Sequence, residues 1–384
     1  MKNWQTKKLG EICDFQGGSQ PPKSNFIFSS KKGYIRFLQI RDFASDKHIT
    51  YIPESKKNRL CKKDDILLGR YGASVGKILI NKEGAYNVAV MKTKPDLNLI
   101  HKKYFYYYLV SDEFQRPLSK VAARSAQAGF SKDDIYNFPI LTPPLYEQER
   151  IVKKLGEIFE NIDKAKENTE KNLQNSKELF ESYLLNVFNK AKKGWHLEKL
   201  GEVCKFQGGS QPSKVDFVYH DAEGYIRMLQ IRDYKTDKHI VYIPTNKAKR
   251  FCKKDDVMIG RYGPPLFQIL RGFEGAYNVA LMKAIPDENK LDKDYLYFFL
   301  KNPKIQSYVI SLSSRAAGQT GLNKETLEAY PINYPKLADQ KQIVTKIRLL
   351  SEQTKRLEDN YKQKLLLLGE LKKSVLAKAF AGEL

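Results

Sequence analysis

The chain is short of cysteine, histidine, acidic residues and long apolar runs, and each shortage removes a class of protein. Its four cysteines, Cys13, Cys61, Cys204 and Cys252, include no close pair. That argues against a disulfide scaffold and for reduced thiols in a cytoplasm. The five histidines (His48, His101, His196, His220, His239) and these cysteines make no compact ligand set, so no metal site is expected. His48 with Cys61, repeated as His239 with Cys252, comes nearest to one. No apolar run approaches a membrane span, and Met1-Lys2-Asn3-Trp4 opens no signal-peptide core, so a cytoplasmic protein with no membrane partner is expected. Acidic residues number 44 against 67 Lys plus Arg, a formal charge of +23. Such an excess suits a protein that meets a polyanion, most often nucleic acid.

What is present is one long period. From Tyr146 to Ala191, Ile151, Leu155, Ile158, Ile162, Ala165, Leu173, Phe180, Tyr183 and Val187 recur among Lys, Glu and Asn. Steps of three and four are the stripe of an amphipathic helix. Pro143-Pro144 stands before it and Gly194 after it, as start and stop. At about 1.5 Å per residue it would be roughly 60 Å long, too long for one compact domain, and it reads as a spacer.

The chain is written twice. Trp4 recurs as Trp195, Phe15-Gln16-Gly17-Gly18-Ser19-Gln20-Pro21 as 206–212, and Leu38-Gln39-Ile40-Arg41-Asp42 as 229–233. Gly69-Arg70-Tyr71-Gly72 recurs as 260–263 and Gly84 to Ala89 as 275–280, always at an offset of 191. After one inserted residue the offset is 192, and the helix returns from Ala338 to Phe380 with Ile343, Ile347, Leu350, Thr354, Leu357, Tyr361 and Leu365 on its stripe. Both helices take two successive steps of four, ending at Thr169 to Leu173 and at Tyr361 to Leu365. A shared register defect suits two helices that pair with each other through Ile151, Leu155, Ile158, Ile162 and Leu173 on one and Ile343, Ile347, Leu350, Leu357 and Leu365 on the other. In the repeats, Ile35 to Ile40, Ile66 to Leu68, Lys77 to Ile80 and Tyr86 to Met91 read as strands between turns. Lys102 to Val110 and Lys293 to Leu300 read as helix or buried strand, and an α+β domain follows.

Catalytic motifs fail one by one. Gly72-Ala73-Ser74-Val75-Gly76-Lys77-Ile78 is one residue short of a phosphate loop and has Ile78 where Ser or Thr would hold magnesium. Thr142-Pro143-Pro144-Leu145 lacks the Asn of an amino-methyltransferase motif, and Pro95-Asp96 lacks a nuclease partner. DNA-reading chemistry is better represented. Arg and Gln read base edges in pairs of hydrogen bonds, while Lys, Ser and backbone amides hold phosphates. The candidates are Gln16, Ser19, Gln20, Arg41, Arg70, Tyr71, Lys77, Arg124 and Gln127. In the second copy they are Gln207, Ser210, Gln211, Arg232, Arg261, Tyr262, Arg315 and Gln319. The glycines of the Gln16 to Gln20 loop would let its backbone approach a ligand, or simply make a hairpin turn.

Trp4…Leu9-Gly10-Glu11-Ile12-Cys13, the helix start Pro143-Pro144-Leu145-x-Glu147-Gln148-x-x-Ile151, and the closing Val375 to Leu384 resemble the specificity subunit of Type I restriction–modification systems over the whole chain. The resemblance implies two target-recognition domains (1–145 and 194–337), each followed by a spacer helix (146–193 and 338–384). It implies that the helices pair as an antiparallel coiled coil with pseudo-two-fold symmetry, and that each domain faces half of a split double-stranded DNA target. Two modification subunits, carrying S-adenosylmethionine for adenine-N6 methylation, and two restriction subunits, using ATP and Mg, would assemble on a subunit that has no catalytic residue or cofactor of its own. The likeness of the two copies adds a near-palindromic target. Ala73 to Lys77 against Pro264 to Gln268 is where the copies diverge most. A methyltransferase-only or fused-nuclease system, and a two-headed RNA- or protein-binding scaffold, are the rival readings.

Overall fold

In the computed structural model, which describes residues 4–124, 129–189, 193–263, 265–313 and 321–384, both long periodic stretches are single helices. The chain divides into two compact units, residues 1–169 with 363–384 and residues 170–362. Neither unit is one recognition domain with its own helix.

In the first unit, β1 (Gln5–Lys8), α1 (Leu9–Ile12) and β2 (Cys13–Gly17) lead into β3 (Tyr34–Leu38), β4 (Tyr51–Pro53), β5 (Leu60–Cys61), β6 (Leu67–Gly69), β7 (Ile78–Leu79), β8 (Gly84–Tyr86) and β9 (Val90–Pro95). Then come α2 (Lys102–Val110), α3 (Asp112–Ala122), α4 (Lys132–Tyr136), β10 (Pro139–Thr142) and the start of the long α5 (Leu145–Phe188). Two four-stranded sheets form in the orders β2-β9-β6-β7 and β4-β3-β8-β5, and β1 pairs with β10. The β3–β8 pair is parallel; every other ladder of the unit is antiparallel. The aromatic run at 102–110 is helix, and the α+β expectation is met. Tyr86 to Met91 is not one strand: β8 and β9 lie in different sheets, with Asn87 to Ala89 turning between them.

The second unit repeats this in β11 (His196–Lys199), α6 (Leu200–Val203), β12 (Cys204–Gly208), β13 (Tyr225–Leu229), β14 (Tyr242–Pro244), β15 (Phe251–Cys252), β16 (Val257–Gly260), β17 (Gln268–Leu270), β18 (Gly275–Tyr277), β19 (Leu281–Pro286), α7 (Lys293–Leu300), α8 (Pro303–Ser313), α9 (Lys324–Glu328), β20 (Pro331–Tyr334) and the start of α10 (Leu337–Ala381). Its sheets have the matching orders β12-β19-β16-β17, β14-β13-β18-β15 and β11-β20.

The helical face of each unit is built from both long helices. In the first, Ile151, Leu155, Phe159 and Ile162 of α5 and Leu376, Ala379 and Phe380 of α10 close over the aromatics of α2. The Phe380 ring lies 5.1 Å from Tyr104, and Phe159 lies 5.4 Å from Tyr107. Each such ring, fully buried, stabilises by about 2–3 kcal/mol. Lys372 meets Asp163 at 3.2 Å, and Arg150 donates to the Leu384 carbonyl at 2.7 Å. Rising numbers on α10 thus meet falling numbers on α5, so the segments run antiparallel. In the second unit, Leu184 and Phe188 of α5 join Val344 and Ile347 of α10 in one core.

Six of the ten expected pairing positions belong to these cores: Ile151, Leu155, Ile162 and Ile347 are buried and Ile158 and Ile343 half-buried, while Leu173, Leu350 and Leu365 are half-buried outside them. Leu357 is a correction, 41% exposed. The deeply buried positions nearby are Thr354 and Ser176, and on the first unit's segment Thr169. Their hydroxyls donate to the carbonyls of Leu350, Asn172 and Ala165, so the helix backbone itself satisfies these buried groups.

Gln148 pins α5 to its recognition domain. Its side chain is fully buried. The amide nitrogen donates to the Leu99 and Pro143 carbonyls at 3.0 and 2.8 Å, and its oxygen accepts from His101 N at 2.7 Å. Gln340 repeats this with Lys290, Pro335 and Asp292.

Candidate nucleic-acid interface

The ends of β2, β3, β6 and β8 converge on one rim, and the convergence is hydrogen-bonded. Asn87 N donates to Leu38 O at 3.1 Å, Gly18 N to Val90 O at 3.0 Å, Ser19 N to Tyr86 O at 3.1 Å, and Arg70 N to Ala89 O at 2.8 Å. The Asn87 to Ala89 turn is the hub, closed by Ala89 N donating to the Asn87 side chain at 3.2 Å. The second unit repeats every link: Asn278 to Leu229, Gly209 to Leu281, Ser210 to Tyr277 and Arg261 to Ala280.

The glycine loop serves this crossing. A Cβ on Gly18 would sit 2.0 Å from the Asn87 carbonyl oxygen, as would one on Gly209 from Asn278 O. Only glycine lets the two backbones pass so closely. The closely approached partner is therefore the chain's own turn. What the loop presents outward is the half-buried Ser19 and the exposed Gln20; Ser210 and Gln211 do the same. Ser19 and Gln20 also edge a cavity of about 360 Å³ shared with Lys57 and Asn58. Gln16 and Gln207 are half-buried strand residues, and Gln207 accepts from the Tyr277 hydroxyl at 3.0 Å, which holds it inward.

Arg70 lies across the rim. Its Nε donates to Phe130 O at 2.8 Å, its guanidinium stacks 5.0 Å from the Tyr71 ring, and a Cβ on Gly17 would lie 3.5 Å from its Nη1. Its counterpart Arg261 stacks 5.4 Å from Tyr262 but has no partner for its buried Nε among the described residues. Tyr71 and Tyr262 are 43% and 42% exposed, apolar faces that bases can stack on. Tyr71 bridges Gly129, which brings the far end of the third candidate segment to the rim. Arg124 itself is exposed at the end of α3 and no described contact joins it to the rim. Gln127, Arg315 and Gln319 lie outside the described residues.

Arg41 and Arg232 sit three residues past the hub's partners Leu38 and Leu229, in the short 3₁₀ turns Ile40–Phe43 and Ile231–Tyr234. Both are exposed and make no salt bridge among the described residues, whereas Arg36 pairs with Asp46 and Arg227 with Asp237. The neighbouring Asp42 and Asp233 are buried. Each accepts from the backbone of Gln39 or Gln230, and each is pushed above the usual carboxylate range by burial. These carboxylates shape the turns and leave the arginines outward.

Lys77 is exposed in the loop between Tyr71 and β7. That loop enters a two-residue strand and not a helix, so it has no phosphate-loop geometry. Cys61 and Cys252 are buried and raised to about 11 by desolvation, whereas His48 and His239 are exposed. Among the described residues no three His, Cys, Asp or Glu gather as a metal site. No helix among them is long and apolar enough to cross a membrane.

The model of the Type I restriction modification DNA specificity domain matches residues 1–175 and again 192–367. The chain belongs to that family. It is similar to the Type I restriction enzyme StySPI specificity subunit of Salmonella potsdam, with 20% identity over all of this chain and 89% of the relative. Its fold matches a chain solved in work on complex assembly and conformational transition of the type I R-M system (TM-score 0.82, 19% identity, 100% and 99% of the two chains). It also matches the HsdS subunit from Thermoanaerobacter tengcongensis (TM-score 0.60, 19% identity, 100% and 98%). The family's business is DNA specificity, and the repeated rim brings Arg70, Tyr71, Ser19 and Gln20, or Arg261, Tyr262, Ser210 and Gln211, to one place in each copy of the domain.

Sequence reasoning missed the Asn87 to Ala89 and Asn278 to Ala280 turns as part of this surface. The signal was there, since Gly-Ala-Tyr-Asn-Val-Ala is one of the longest exact repeats.

Proposed function

We propose that each unit's rim reads one half of a bipartite, near-palindromic double-stranded DNA target. One observation carries this: both units gather the same Arg, Tyr, Ser and Gln around the same turn, with the Arg-Tyr stacks at 5.0 and 5.4 Å. Arg41, Arg70 and Gln20, with Arg232, Arg261 and Gln211, meet bases, while Ser19, Ser210, Lys77 and the basic surface hold phosphates. The subunit contributes no catalytic residue and no cofactor. Two modification subunits with S-adenosylmethionine, and two restriction subunits with ATP and Mg, act on the DNA that it selects, in the cytoplasm.

The test is to express the chain with a modification partner and map methylated adenines on genomic DNA by single-molecule sequencing. Two similar half-sites at a constant spacing are expected. Two unrelated half-sites would remove the near-palindrome, and methylation without sequence preference would remove the reading role. If methylation appears but no cleavage partner can be reconstituted, the system is a methyltransferase-only one.

A further inference from the structure

The rims match closely, but the loops that leave them do not. Gly76 + 191 gives Phe267, so a glycine in one unit corresponds to a phenylalanine in the other. Both have left-handed backbone, φ +76° and +59°, and Phe267 is one of only two non-glycine residues with positive φ among the described residues. A phenylalanine is seldom found there, so something must hold it.

Packing holds it. Phe267 is fully buried in the same core as Ile305 and Val309 of α8. The corresponding residues of α3 are larger, Phe114 and Leu118, and also buried. A Cβ on Gly76 would stand 3.1 Å from Leu118 Cδ2 and 2.5 Å from Gln115 Oε1, so the first unit has no room for a side chain. The helix residues are smaller in the unit where the loop residue is larger, which supplies part of the room that the ring takes in a packed core. Gln115 donates both to Leu109 O and to Gly76 O, at 2.6 and 2.9 Å, whereas its counterpart Gln306 donates to Leu300 O at 2.7 Å.

The two anchors give the loops different paths. In the first unit, Gly72–Ser74 forms a 3₁₀ turn folded back over β6, so that a Cβ on Gly69 would lie 2.2 Å from Ser74 O. In the second, the nearest atoms to the same point on Gly260 are side-chain carbons of Ile231 and Gln268, and Gly260 pairs regularly with Gln268, whereas Gly69 N donates to Lys77 O at 2.8 Å while its carbonyl accepts from Gly76 N at 3.0 Å. Gln268 donates to Pro265 O at 2.9 Å, where the first unit has the exposed Lys77. Both loops begin at the exposed tyrosine of the rim.

We propose that residues 72–77 and 265–268 make the two half-sites differ, and that Phe267 is a positioning residue that sets the second segment's path. This rests on the reading that the rims face DNA. Two variants of the full chain test it: one converts Pro264→Ala, Pro265→Ser, Leu266→Val, Phe267→Gly and Gln268→Lys together. The other combines Phe267→Gly with Ile305→Phe and Val309→Leu, which gives these three positions the residues of the first unit. Each is offered duplex libraries with one half-site fixed and the other randomised, and the selected DNA is sequenced. The expected result in both is about a tenfold change in preference at one or more bases of the second half-site, with the first half-site unchanged. Parental preference in either variant overturns the inference. So does loss of second half-site selection in both with the first intact, since that shows only a damaged domain. If the parent chain itself selects no sequence, the DNA reading has failed and this inference falls with it.

Discussion

Replacing Gln148 by alanine should loosen the first recognition domain from its long helix. The side chain is fully buried and bridges three backbone groups from two segments: Leu99 O, Pro143 O and His101 N. Truncation strands all three. A buried polar group left without a partner costs about 1–3 kcal/mol, but only the Pro143 bond is wholly buried, and water can reach the other two in part. The expected loss is therefore about 3 kcal/mol, a factor of roughly 150 in the local opening equilibrium. Native-state hydrogen exchange reads it directly: the His101 amide should exchange about a hundredfold faster, while amides of the second unit keep their rates. Gln174→Ala is the control, since its amide donates to Glu178 on the exposed face of the same helix. It should cost under about 0.5 kcal/mol. The reasoning is refuted if Gln148→Ala leaves the His101 amide as protected as in the parent, or if the two substitutions act alike.

Three further outcomes are expected. Arg70→Ala should weaken binding to duplexes carrying the first half-site by about 1–3 kcal/mol and relax its sequence preference, and Arg261→Ala should do the same for the second. Fluorescence anisotropy with duplexes altered in one half at a time distinguishes the two, and an equal loss on both halves would contradict the assignment. Asp42 is held above the usual carboxylate range by burial, so its protonated form favours the folded state. That contribution is present below the unfolded pKa and fades as pH rises through the folded one. Asp42→Asn stays neutral and keeps an oxygen for Gln39 N, so its Tm advantage over the parent should grow from pH 4 to pH 7; a constant gap refutes this. Cys61 and Cys252, raised to about 11, should alkylate with iodoacetamide at pH 8 about a hundredfold more slowly in the native chain than in urea, as followed by mass spectrometry.

Much of this protein is local enough to read without coordinates. The steps of three and four in 145–188 and 337–381 make helices whatever surrounds them, because 3.6 residues per turn puts those side chains on one face. The duplication needs only comparison of the chain with itself, and it forced the conclusion that any reading surface comes in two copies. What the period does not carry is which partner covers the apolar face. Leu357 and Thr354 both fall on the stripe, but the tertiary packing buries the threonine and exposes the leucine. A hydroxyl can bond its own helix, and a narrow seam takes a small side chain more easily than a large one. The aromatic run at 102–110 was equally open, since a short apolar stretch fits a helix or a buried strand, and the antiparallel helix layer above it decided.

The site divides along the same line. Residue chemistry alone pointed to Arg41, Arg70, Ser19 and Gln20, and these do stand on or beside one rim. That Gly18 is there to let two backbones cross, and that the Asn87 turn is the hub, follows from hydrogen bonds between residues some 20 to 70 positions apart. Gly76 and Phe267 mark the limit most clearly. As sequence they are merely unlike, but as structure they are the same left-handed position, empty in one unit and filled in the other, with two helix residues more than 35 positions away smaller where it is filled. Local pattern determines which element forms, and the volume left by distant side chains determines what that element presents.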